Sequence, residues 1–180
     1  MNKSEFENRS LVYIIAISYS LNLLFSLFGF CCNENTTEQI LFFQIGNAFA
    51  ISAAVMAARY TGLRGQHVAA SAYILLGITH GISLAALSRA SISVDRGMTM
   101  VMPMIPALVC MFWCSLYPKW LRYAGMIPCL LFVIVYINVL QGQTYFDWPL
   151  QLGYATLQII EVLWALYLWK DWKQLSIRPS

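Results

Sequence analysis

The stretch Asp147–Trp169, DWPLQLGYATLQIIEVLWALYLW, decides the fold. It is close to the roughly 20 apolar residues that cross a hydrocarbon core of about 30 Å as an α-helix, yet it carries a carboxylic acid, Glu161. On a period of about 3.6 residues, Gln151, Tyr154, Ala155, Gln158, Glu161 and Ala165 fall on one stripe. Leu152, Ile159, Ile160, Leu163 and Leu166 cover the opposite side. One face therefore suits lipid, and the other suits protein or water.

The rest of the chain has the same character. Of its 180 residues, 59% are apolar and 11% charged, against about 45–50% and 25% in soluble domains. Six apolar runs can be marked, at 11–30, 40–58, 68–87, 98–117, 123–140 and 149–169. The expected fold is all-α: a polytopic integral membrane protein, one domain over 1–180, built as a compact bundle of six transmembrane helices. Short loops make sequential helices antiparallel neighbours. The first run is longer than a signal-peptide core and reads as a retained span. Phe30 stands where lipoprotein processing before Cys31 would need a small residue. The cysteines at 31, 32, 110, 114 and 129 form no zinc-like spacing with histidines and suggest no disulfide framework.

A net charge of +3 without a basic run argues against nucleic acid as a partner. The distribution of the basic residues predicts topology instead. Lys3, Arg9, Arg59, Arg64, Lys119, Arg122, Lys170, Lys173 and Arg178 fall at the termini and in the second and fourth loops, while the other loops hold only Arg89 and Arg96. This bias puts both termini in the cytoplasm, in a plasma or bacterial inner membrane. Trp120, Trp169 and Trp172 are expected at the inner interface and Trp148 at the outer one. Asn35, Thr36 and Thr37 form a glycosylation acceptor by pattern alone.

Small residues at four-residue spacing, Gly46, Ala50, Ala54 and Ala58 in one row and Gly77, Gly81 and Ala85 in another, predict close helix packing. In the fourth run, Met98, Met100, Met102, Met104 and Met111 accompany Cys110 and Cys114 around Pro103 and Pro106. Soft ligands of this kind suit Cu(I), but no outer-loop Met or His cluster would capture the ion, so methionines filling gaps around a kink are the better expectation. No metal and no cofactor are assigned. The fourth and fifth spans, poor in polar residues, are expected as outer or moving walls.

Counted from the inner helix ends at about 1.5 Å per residue, Asn22, Asn47, His80 and Gln158 all reach a depth near the bilayer midplane. Glu161 lies nearly one turn closer to the cytoplasm. An ionised group at that depth costs on the order of 2.5–3.5 kcal/mol by insertion scales. Glu161 must therefore be neutral, paired or wet. His80 is the intramembrane side chain able to offset its charge; a protonated Glu161 bonded to Gln158 or Asn47 is the other arrangement. The candidate ligand- or proton-binding set is Glu161, His80, Asn47, Asn22, Gln158 and Tyr154.

Catalysis has little support. Ser83 lacks the second glycine of a nucleophile elbow, no second intramembrane histidine could act as its base, and no phosphate loop, zinc-binding histidine pair or intramembrane lysine occurs. Two readings remain. The first is a membrane protein that binds or transports a small solute or protons at a midplane site. The second is a non-catalytic accessory or assembly subunit, with small-residue rows docking on another membrane protein or on a second copy.

Overall fold

The computed structural model describes residues 3–33, 36–87, 101–141 and 148–177. All regular structure in them is helical: α1 (Lys3–Cys31), α2 (Thr37–Leu63), α3 (His67–Leu87), α4 (Met104–Met111), α5 (Lys119–Ala124), α6 (Met126–Leu140) and α7 (Trp148–Ile177). Five segments are long and apolar enough to cross a membrane: Arg9–Cys31, Thr37–Leu63, His67–Leu87, Lys119–Leu140 and Trp148–Leu175. The fourth of these joins α5 to α6 through Gly125, which keeps helical angles. Asn35, Met98, Met100, Arg89, Arg96 and Arg178 lie outside the described residues.

The expected span at 98–117 is the one that differs. In its described part Val101 is helical, Met102 and Pro103 form a turn, and α4 is eight residues long, or about 12 Å of helix. Beyond Met111 the amides of Phe112, Trp113 and Cys114 turn back to carbonyls three residues earlier, and Pro118 at ψ 154° forces extended backbone before α5. Gln66 Oε1 accepts from the loose Ser115 amide at 3.1 Å. Among the described residues, five segments rather than six are long and apolar enough to cross a membrane, and residues 98–100 of the expected sixth lie outside them. Nor is this segment an outer wall, because Met104, Ala107, Leu108 and Met111 are all buried between α3 and α6. Cys114 lies past the helix end.

The helices meet in a ring, α1 on α2, α2 on α3, α3 on α4, α4 on α6 and α6 on α7, and α7 closes back on α1. Neighbours run antiparallel, as the pairs Gly62 with Ala70 and Gly77 with Ala54 require for α2 and α3. Tyr13 beside Trp169 and Ser26 beside Gln158 require the same of α1 and α7. A Cβ on Gly65 would be strained at φ 71°, and this glycine lets the Gly65 and Gln66 amides bond the carbonyls of Gly62 and Thr61, ending α2 in a tight reversal. The row Gly46, Ala50, Ala54 and Ala58 is buried within the chain. Gly46 is the critical position, since a Cβ there would lie 3.2 Å from Asn22 Oδ1 and 3.3 Å from the Asn22 carbonyl.

Polarity is arranged inside out. Ile17, Val55, Ile74, Leu130 and Ile159 are each more than half exposed, while Asn22, His80 and Glu161 are buried. On α7 the inward stripe runs through Leu157, Ile160, Glu161, Trp164, Ala165 and Leu168. It is therefore rotated from the sequence reading: Ile160, expected to face lipid, is buried, and Gln151 is exposed. A closed ring gives α7 neighbours on two flanks, α1 and α6, and so widens and shifts its buried arc.

Candidate functional site

Four helices each place one polar side chain in a single hydrogen-bonded row inside the ring. Asn22 Nδ2 of α1 donates to Glu161 Oε2 of α7 at 3.2 Å. Glu161 Oε1 faces His80 Nε2 of α3 at 3.0 Å. His80 Nδ1 meets Asn47 Oδ1 of α2 at 2.9 Å, and Asn47 Nδ2 donates to the Phe43 carbonyl at 2.9 Å. Glu161 has no exposed surface, and His80 is only 3% exposed.

These partners determine where protons sit. Asn47 uses its amide nitrogen on a carbonyl, so its oxygen must be the acceptor for His80, and His80 Nδ1 carries a hydrogen. Asn22 supplies a donor to one carboxyl oxygen. The remaining contact, Nε2 to Oε1, needs one proton between two acceptors. Two forms satisfy it: neutral Glu161 donating to neutral His80, or imidazolium donating to carboxylate. Both leave the pair with zero net charge. Losing the proton would leave a carboxylate facing an imidazole lone pair in a buried site, which is costly.

Of the six expected site residues, the row contains Asn22, Asn47, His80 and Glu161. Gln158 stands one step away: its Nε2 donates to Ser26 Oγ at 2.7 Å, and Ser26 lies one turn from Asn22 on α1. Glu161 therefore bonds His80 and Asn22 rather than Gln158 or Asn47. The Tyr154 hydroxyl is buried without a hydrogen-bond partner among the described residues, as is Ser83 Oγ. These two hydroxyls neighbour each other in a loose pairing outside strict hydrogen-bond geometry.

On the side of the row toward Arg64 lies an aromatic layer. Trp164, one turn beyond Glu161, stacks on Tyr117 at 6.0 Å and meets Tyr73 edge-on at 6.1 Å. The hydroxyls of Tyr73 and Tyr117 bond each other. Tyr19 is fully buried one turn before Asn22 on α1.

A second polar cluster was not anticipated from sequence. Arg64 contacts both carboxylate oxygens of Asp171, at 2.8 and 3.1 Å, and Tyr60 donates to the same carboxylate at 2.8 Å. Donating to the Asp171 carboxylate raises the Arg64 pKa above its usual value, so the guanidinium stays charged. The one available signal was Asp171 itself, an acid among the basic residues of the C-terminal segment. Among the described residues, no three His, Cys, Asp or Glu side chains gather as metal ligands would.

No protein-family model, curated protein or solved structure matches the chain.

Proposed function

We propose that this chain is a multi-pass membrane protein, with both termini on the cytoplasmic side, whose midplane Glu161–His80 pair takes up and releases one proton to drive the binding or passage of a small solute. The observation that carries this reading is the contact of Nε2 with Oε1 at 3.0 Å inside a row built from four helices. Amide pairs alone would join the helices, each worth about 0.6 kcal/mol. An ionisable pair at that depth adds cost without being needed for packing, whereas a proton-binding site requires it.

The membrane setting is supported by the apolar exterior and by the five long helices. Orientation is supported by Arg64 just after α2, Lys119 and Arg122 in α5 at the start of the fourth long segment, and Lys170 and Lys173 on the C-terminal part of α7. The accessory-subunit reading is weaker because the Gly46 to Ala58 row, its clearest docking face, is already covered by this chain.

The test is infrared difference spectroscopy in lipid, comparing the wild type with Glu161→Gln across about pH 5 to 9. A carboxylic-acid band that is absent from the variant and changes with pH is the expected result. A band that stays constant would make the pair a static clasp and end the proton reading.

A further inference from the structure

Six buried side-chain polar atoms among the described residues have no hydrogen-bond partner, and four of them lie within about two helical turns of the Glu161–His80 pair. They are the hydroxyls of Tyr19, Ser83 and Tyr154 and the indole nitrogen of Trp164. Native proteins leave few such groups unpaired, and those that persist are commonly met by water. Their placement is ordered. Tyr19 precedes Asn22 by one turn on α1, and Ser83 follows His80 by one turn on α3. Because α1 and α3 run in the same direction, Tyr19 lies on the Arg64 side of the pair and Ser83 on the opposite side.

We infer that Tyr19 on one side, and Ser83 with Tyr154 on the other, relay protons to and from the Glu161–His80 pair through bound water. The inference rests on the proton-binding reading above and adds the route. A hydroxyl is suited to the task because it accepts a proton on its oxygen as it gives its own to the next oxygen. One O–H bond forms as another breaks, and no charge remains on the tyrosine or serine. Water is the only further participant. Tyr19 is fully buried one turn from Asn22, which bonds Glu161, and the hydrogen-bonded pair Tyr73 and Tyr117 supplies further buried hydroxyls on the same side. On the far side Ser83 Oγ and the Tyr154 hydroxyl form only a loose pairing, outside strict hydrogen-bond geometry. Phe132 closes against the Tyr154 ring at 5.4 Å, aided by Gly153, where a Cβ would come within 2.9 Å of the Phe132 ring.

The experiment follows the Glu161 carboxyl band after a rapid pH jump, using the full chain in lipid vesicles permeabilised to protons. It compares wild type with the double variant Tyr19→Phe, Ser83→Ala and with Tyr154→Phe. Each change removes an oxygen with no protein hydrogen bond, so folding is expected to survive, as a thermal melt would show. The expected result is a band of unchanged final amplitude that responds at least about tenfold more slowly in the double variant, with a smaller delay in Tyr154→Phe. An unchanged rate in the double variant overturns the relay while leaving the proton-binding pair in place. Absence of any pH response in the wild type overturns the proposed function, and the relay with it.

Discussion

Glu161 Oε1 and His80 Nε2 lie 3.0 Å apart although 81 residues separate them and neither side chain reaches solvent. The contact joins the last long helix to the third across the middle of the ring. Its other hydrogen-bond partners are the uncharged amides of Asn22 and Asn47.

The proton assignment makes Glu161→Gln a mild change. The Gln amide can donate to the His80 Nε2 lone pair while its oxygen accepts from Asn22, reproducing the neutral form of the pair. A loss of less than about 1 kcal/mol is expected. Glu161→Ala should cost about 3 kcal/mol, because it strands His80 and Asn22 inside the bundle. Unfolding curves in mixed micelles would compare them, and equal losses would contradict the assignment.

Asn47 should set the tautomer of His80. Nitrogen NMR of histidine-labelled protein at neutral pH is expected to show Nδ1 protonated in the wild type. Asn47→Ala removes the acceptor that fixes this state, so the Nε2-protonated form should appear alongside it. A wild-type spectrum with Nδ1 bare would show that the Asn47 amide is turned the other way.

Gly46 and Gly81 sit in matching small-residue rows but should respond differently to alanine. A Cβ on Gly46 would press on the Asn22 backbone carbonyl and on Ser26 Oγ at 3.3 Å, and a carbonyl in a helix has little freedom to retreat. Gly46→Ala should therefore destabilise by about 1–3 kcal/mol and lower the pH response of the Glu161 band by shifting Asn22. Nothing lies within 4 Å of a Cβ on Gly81, so Gly81→Ala should be neutral or stabilising by up to about 1 kcal/mol. Melting temperatures of the two variants check the contrast.

The Arg64–Asp171 pair should contribute modestly to stability and strongly to specificity of docking. Arg64 is about one-third exposed, so solvent screens the attraction, and Asp171→Ala is expected to cost about 0.5–1 kcal/mol. Arg64→Lys should not restore the interaction, because a single ammonium cannot span both carboxylate oxygens. Tyr60→Phe should cost less than either. A double-mutant cycle between positions 64 and 171 would read the coupling directly, and a value near zero would make the contact incidental.

Several features were legible in the chain before any folding. The long apolar runs of α1, α2, α3, α6 and α7 follow from composition and length, because a backbone in hydrocarbon must satisfy its own hydrogen bonds. The common depth of Asn22, Asn47 and His80 follows from counting residues along those helices. The fate of the 98–117 run was less accessible. Its apolar content suits a span, but Pro103 and Pro106 together with the turns before Pro118 leave α4 eight residues long, and Gln66 from a distant connection satisfies part of what remains. Hydropathy registers the apolar side chains and is blind to that backbone accounting.

What the sequence by itself determined is which long segments are helical and which acid needs a partner; residue counting put Gln158 level with Asn22, where the structure has Glu161. Only the tertiary structure decided that Glu161 takes His80 and Asn22 rather than Gln158, that Gly46 is the close approach on which Asn22 depends, and that Asp171 meets Arg64 from 107 residues away. The reason is physical. Rise per residue is a local property and can be read from one helix, whereas the azimuth of a side chain inside the ring depends on how every neighbouring helix turns its face.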